Sequence, residues 1–118
     1  REAIDFVEKN AAERDPIVFA IGYAGSHFSH YAEVPVIVPE TFAEFKARVD
    51  EGREVWCLIS AWLPELRPEQ ESVELYAEEP EHVLIYDYVT NSFQRAAQYP
   101  ARYPTYVYRS PAILQPGT

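Results

Sequence analysis

The 118-residue chain contains no methionine. Because a reading frame needs an initiator, we expect a domain cut from a longer protein, with Arg1 already inside an amphipathic helix that runs through Glu2-Ala3-Ile4-Asp5-Phe6-Val7-Glu8. Cysteine is almost as scarce. Cys57 stands alone, which excludes an internal disulfide and a cysteine-built metal cage. No apolar run approaches the roughly 20 residues needed to cross a bilayer, and no basic start followed by an apolar core marks a signal peptide. Acidic residues are missing from the C-terminal quarter: all 19 fall within residues 1–90 together with seven basic residues, a balance of −12, whereas the remainder carries only Arg95, Arg102 and Arg109, +3. A body this acidic repels phosphates at long range, so a nucleic-acid partner is disfavoured. Only the C-terminal quarter suits an anionic surface.

What is present supports one domain spanning residues 1–118. At 47% hydrophobic the chain can bury roughly 65% of its unfolded surface. Ile4, Val7 and Ala11 recur at helical spacing, with Glu2, Asp5 and Lys9 off that stripe. Asp15-Pro16 closes this helix. Ile17 to Ile21 is a continuous apolar run ended by Gly22, the pattern of a strand covered on both faces and of a central place in a sheet. A glycine-punctuated turn and short helix follow as far as Tyr31, and Val36 to Val38 reads as a second strand, with Pro35 placing it at an edge or marking its beginning. Thr41 with Glu44 forms a capping box for a helix whose buried stripe is Phe42, Phe45 and Val49 and whose wet side is Lys46, Arg48 and Asp50. Gly52 supplies its left-handed stop.

Val55 to Ile59 is a third buried strand, in which Trp56 and Cys57 face opposite sides and Phe42 and Phe45 pack on one of them. Pro68 to Glu78 reads as a short acidic helix. Val83 to Val89 could be a strand by composition, but the spacing of Ile85, Val89, Phe93 and Ala96 favours a helix continuing to Ala97. Thr105 to Arg109 is a further strand, and Leu114 to Thr118 a tail. The alternation of helices and strands implies a three-layer α/β domain with a mainly parallel sheet, strand order 2-1-3, plus the C-terminal strand.

Two regions draw attention as candidate sites. Gly22, Tyr23, Gly25, Ser26, His27 and His30 follow the first strand, where open α/β sheets bind ligands at the carboxyl ends of strands. The glycines fall short of a dinucleotide or phosphate-loop motif, and a tight turn explains them equally. His27 and His30 lack a third metal ligand nearby. Neither a metal nor a cofactor is called for. Ser26 and Ser29 raise nucleophilic catalysis, but no elbow motif or orienting carboxylate accompanies them, which leaves a small hydrolase as the weakest alternative. Cys57, in an apolar strand, reads as a small buried hydrophobe. Tyr99, Arg102, Tyr103 and Arg109 combine amphipathic rings with positive charge and are candidate interface residues.

The chain resembles the soluble C-terminal domain of bacterial membrane glycosyltransferases related to dolichyl-phosphate-mannose protein mannosyltransferases. The resemblance rests on Asp15-Pro-Ile-Val-Phe19 before a turn reaching His30-Tyr31, on the helix from Thr41, and on Arg53-Glu-Val-Trp56 opening a strand that ends in Ser60-Ala-Trp-Leu-Pro64. It covers roughly residues 1–80. It implies a small Rossmann-like domain outside the cytoplasm, attached to a transmembrane part that transfers sugar from a polyprenyl-phosphate donor. The family's catalytic acids have no counterpart here. This domain would then be a non-catalytic accessory, brought near the membrane by its parent and partnered by the parent's transmembrane part; the alternative is a stand-alone small-ligand-binding module.

Overall fold

The computed structural model describes residues 2–12, 16–22, 35–60, 80–99 and 105–111. Along the chain these form α1 (Glu2–Asn10), β1 (Ile17–Gly22), β2 (Val36–Ile37), α2 (Phe42–Val49), β3 (Val55–Ser60), α3 (Pro80–Ser92), β4 (Gln94–Tyr99) and β5 (Thr105–Arg109). The expected short helix up to Tyr31, the acidic helix Pro68 to Glu78 and the tail Leu114 to Thr118 lie outside the described residues.

The strands make one sheet in the order β2-β1-β3-β5-β4. β1 pairs in parallel with β2 through Val18 and Val36, and with β3 from Ile17 opposite Val55 to Gly22 opposite Ser60. The expected 2-1-3 order is therefore found, with β2 at an edge. β3, not β1, takes the middle of the sheet. Beyond it the direction reverses: β5 runs antiparallel to β3 and β4 antiparallel to β5, so two of the four pairings are parallel and the sheet is mixed rather than mainly parallel.

Both faces of β1 and β3 are covered, as uninterrupted apolar runs require. Ile17, Phe19, Ile21, Cys57 and Ile59 face α2 and α3, where they meet Phe45, Val49, Ile85 and Val89. Val18, Ala20, Trp56, Leu58 and Val107 face α1 and meet Ala3, Ile4 and Val7. The result is three layers, with Trp56 and Cys57 on opposite faces and both fully buried. Phe45 sits at the heart of an aromatic cluster, its ring 4.8 Å from Phe19 and 6.3 Å from Phe93. Phe42 packs at its margin, half-buried, with its ring 6.4 Å from that of Phe45.

The cap of α2 has the expected Thr41 hydroxyl accepting from the Glu44 N–H at 3.1 Å. The reciprocal half is displaced. Glu44 Oε2 accepts from the Glu40 N–H at 3.4 Å, one residue before the cap. Gly52 adopts φ 78°, the left-handed stop its position after α2 demands. The amino end of α3 is tied to that of α2: Glu81 Oε1 accepts from the Phe42 N–H at 2.9 Å, and His82 Nε2 donates to the Pro39 carbonyl at 2.8 Å.

One expected element is corrected. The helical stripe does not run to Ala97; α3 ends at Ser92, and Gln94–Tyr99 is a strand. Phe93 closes the helix by donating its N–H to the Val89 carbonyl at 2.8 Å and remains in the core. Past it, the row of peptide groups along the outer edge of β5 needs partners more than Ala96 needs burial, and Ala96 is exposed.

Candidate functional site

At the carboxyl ends of the parallel strands, Gly22 lies opposite Ser60, and Ser60 opposite Thr105. This is where the sequence placed its ligand candidates. Of these, Gly22 is positioned at the last residue of β1, while Tyr23, Gly25, Ser26, His27 and His30 lie outside the described residues. Ser60 is 1% exposed, and its hydroxyl has no hydrogen-bond partner among the described residues. A buried orphan hydroxyl is uncommon because it forfeits its hydration without recompense. Among the described residues, no three His, Cys, Asp or Glu side chains converge on a metal-sized space.

The interface candidates separate. Tyr99 ends β4 opposite Thr105 and is half-buried against the α1-side core. Arg102 and Tyr103 lie outside the described residues. Arg109 closes β5 opposite Trp56, which carries it to the other end of the sheet.

There it joins a cluster that the sequence reading missed. Glu54 directly precedes β3, and because side chains two apart in extended chain share a face, it lies beside Trp56. Trp56 Nε1 donates to Glu54 Oε1 at 3.0 Å, and Arg109 Nη2 donates to Oε2 at 2.7 Å. The Ala12 N–H, just past α1, spans both oxygens at 3.0 and 3.1 Å. The Arg109 guanidinium also lies over the Trp56 ring, 5.1 Å from its centroid. The signal was available in the sequence: an acid abutting a wholly apolar strand, two residues from a tryptophan, needs donors once buried.

The chemistry of this cluster follows from its donors. Burial alone pushes the Glu54 carboxyl up, but the indole N–H, the Ala12 N–H and the Arg109 guanidinium together hold it below the usual glutamate range. A carboxylate held ionised by donors on both oxygens is a poor proton acceptor near neutrality. It binds elements together instead. Burial pushes the Cys57 thiol far up, which removes thiolate chemistry, and burial likewise raises the Tyr108 phenol.

Comparison with protein-family models, curated proteins and solved structures gives no match. The reading of function rests on the residues themselves. No helix among the described residues is long and apolar enough to cross a membrane.

Proposed function

We propose that the chain is a non-catalytic accessory domain of a membrane glycosyltransferase related to dolichyl-phosphate-mannose protein mannosyltransferases, Rossmann-like in fold and lying outside the cytoplasm. Sugar transfer from a polyprenyl-phosphate donor belongs, on this reading, to a transmembrane part, and the domain docks on that part or steers the acceptor. The observation that carries it is the use made of Glu54. Within the resembling segment Arg53-Glu-Val-Trp56, the buried carboxylate is engaged by a helix end, an indole and a guanidinium, so the segment serves architecture. The other resembling segments within the described residues, Ile17 to Phe19 and the helix from Thr41, fall on β1 and α2, which pack against each other.

The test has two arms. The purified chain, offered a polyprenyl-phosphate-linked sugar with acceptor and then generic ester and phosphate substrates, should turn over none of them. The gene upstream of the Arg1 codon should encode several apolar spans of roughly 20 residues each, and deleting the domain from that parent should impair folding, assembly or acceptor use. Turnover abolished by replacing Ser26, His27 or His30 sinks the accessory reading in favour of a hydrolase; a soluble upstream domain removes the glycosyltransferase.

A second reading is favoured by the orphan hydroxyl of Ser60 beside Gly22: a small-ligand module binding at the carboxyl ends of β1 and β3. Saturable binding of a small molecule weakened by Ser60→Ala would select it.

A further inference from the structure

The opposite, amino-terminal edge of the parallel strands carries a recess of about 200 Å³ lined by Pro16, Ile17, Pro35, Ile37, Arg48 and Arg53. We propose that this recess binds a small soluble amphiphilic anion, a phosphate or carboxylate head carried on a short apolar arm. Four of the lining residues are apolar, Pro16 and Ile17 at the entry to β1 and Pro35 and Ile37 at β2, and they form a wall for the arm. The other two are arginines, one in the last turn of α2 and one in the connection to β3. A guanidinium presents a planar fork of donors that matches phosphate or carboxylate oxygens, and two of them lining one recess suit a single anionic head.

Arg48 adds a more specific observation. Its Nε is buried and makes no hydrogen bond among the described residues, and its ionic contact with Glu51 Oε2 is long, at 3.5 Å. A buried N–H whose nearest acceptor lies outside hydrogen-bond geometry is under-satisfied, and a bound oxyanion would supply a closer one. Glu51 is the acid nearest that nitrogen in the described contacts and competes with an incoming anion, so the head must approach from the recess side. The chain's net charge of −9 repels anions in general, so any anion that binds is held by local geometry and not by the overall field. The volume is below the roughly 300–1,000 Å³ of drug-sized sites, which limits the occupant to a head and a few carbons.

This proposal stands apart from the accessory-domain reading, and either can fail alone. The experiment is amide-detected NMR titration of the 118-residue chain with butyl phosphate, butyrate and butanol. The two anions should give saturable shifts centred on Ile17, Ile37, Arg48 and Arg53, at least about tenfold tighter than butanol. The double variant Arg48→Gln with Arg53→Gln should weaken the anions by about tenfold or more, and each single variant should weaken them in part, whereas Arg95→Gln, which removes one positive charge on β4, should leave them unaltered. As an independent variant, Ile37→Glu places a carboxylate on the apolar wall and should abolish binding. Shifts that do not saturate, shifts centred elsewhere, equal binding of butanol, or anion binding retained in the double variant or in Ile37→Glu would overturn the proposal.

Discussion

Glu54 is charged, its side chain is 3% exposed, and it precedes a strand whose six residues are all buried. Such a residue is tolerated because donors meet its carboxylate, and among the described residues these include the Ala12 N–H, the Trp56 indole and the Arg109 guanidinium. That is why the sequence did not disclose it. The spacing between Glu54 and Trp56 is local, but the Ala12 N–H and the Arg109 guanidinium arrive through tertiary structure. Apolar burial was easier to read, since period and composition alone assign Phe45 to the core. Phe45 is fully buried and its ring neighbours Phe19, Phe42, Tyr88 and Phe93. Phe45→Ala should cost about 3–5 kcal/mol through lost transfer energy and the cavity left behind. A loss below about 1 kcal/mol in urea melts would mean that this face of the sheet is packed by something other than α2.

At the scale of elements, the parts written in short-range pattern were legible. The apolar runs Ile17 to Ile21 and Val55 to Ile59 became β1 and β3, and the parallel 2-1-3 order followed from helices alternating with strands. The cap of α2 was legible because it depends on residues three apart. Thr41→Ala should therefore destabilise by about 1 kcal/mol, and Thr41→Ser should largely restore stability, as thermal unfolding of both variants would show. An unchanged midpoint for Thr41→Ala would assign the cap to the Glu44–Glu40 contact instead. β4 was not legible. Gln94-Arg-Ala-Ala-Gln-Tyr99 contains no β-branched residue, most of its side chains are exposed, and an alanine pair extends the helical stripe of α3. It is a strand because β5 offers an edge, and a bulge between Arg95 and Ala97 accommodates the fit. Propensity loses there to backbone pairing that only the assembled sheet can supply.

For the whole molecule, the sheet separates two cores, and at one end Glu54 joins the sheet to the α1 layer through Ala12 and, within the sheet, β3 to β5 through Arg109. The consequence for pH follows from linkage. The carboxyl is held below its ordinary value of 4.5, so its contribution is present in full above that value and is lost as the pH falls through the lowered folded value. Acid also relieves the repulsion within a chain of net charge −9, which acts in the opposite direction. Total stability therefore does not isolate the cluster. A double-mutant cycle does, because the general charge effect cancels between its sides. That the Glu54 carboxylate ties β5 to the start of β3 is tested most directly by urea unfolding of the parent chain, Glu54→Gln, Arg109→Gln and the double variant at neutral pH and again in acid. The coupling between the two positions should be about 1–3 kcal/mol at pH 7 and should shrink once the pH falls below the ordinary glutamate range. Additive effects at pH 7, within about 0.5 kcal/mol, would contradict it.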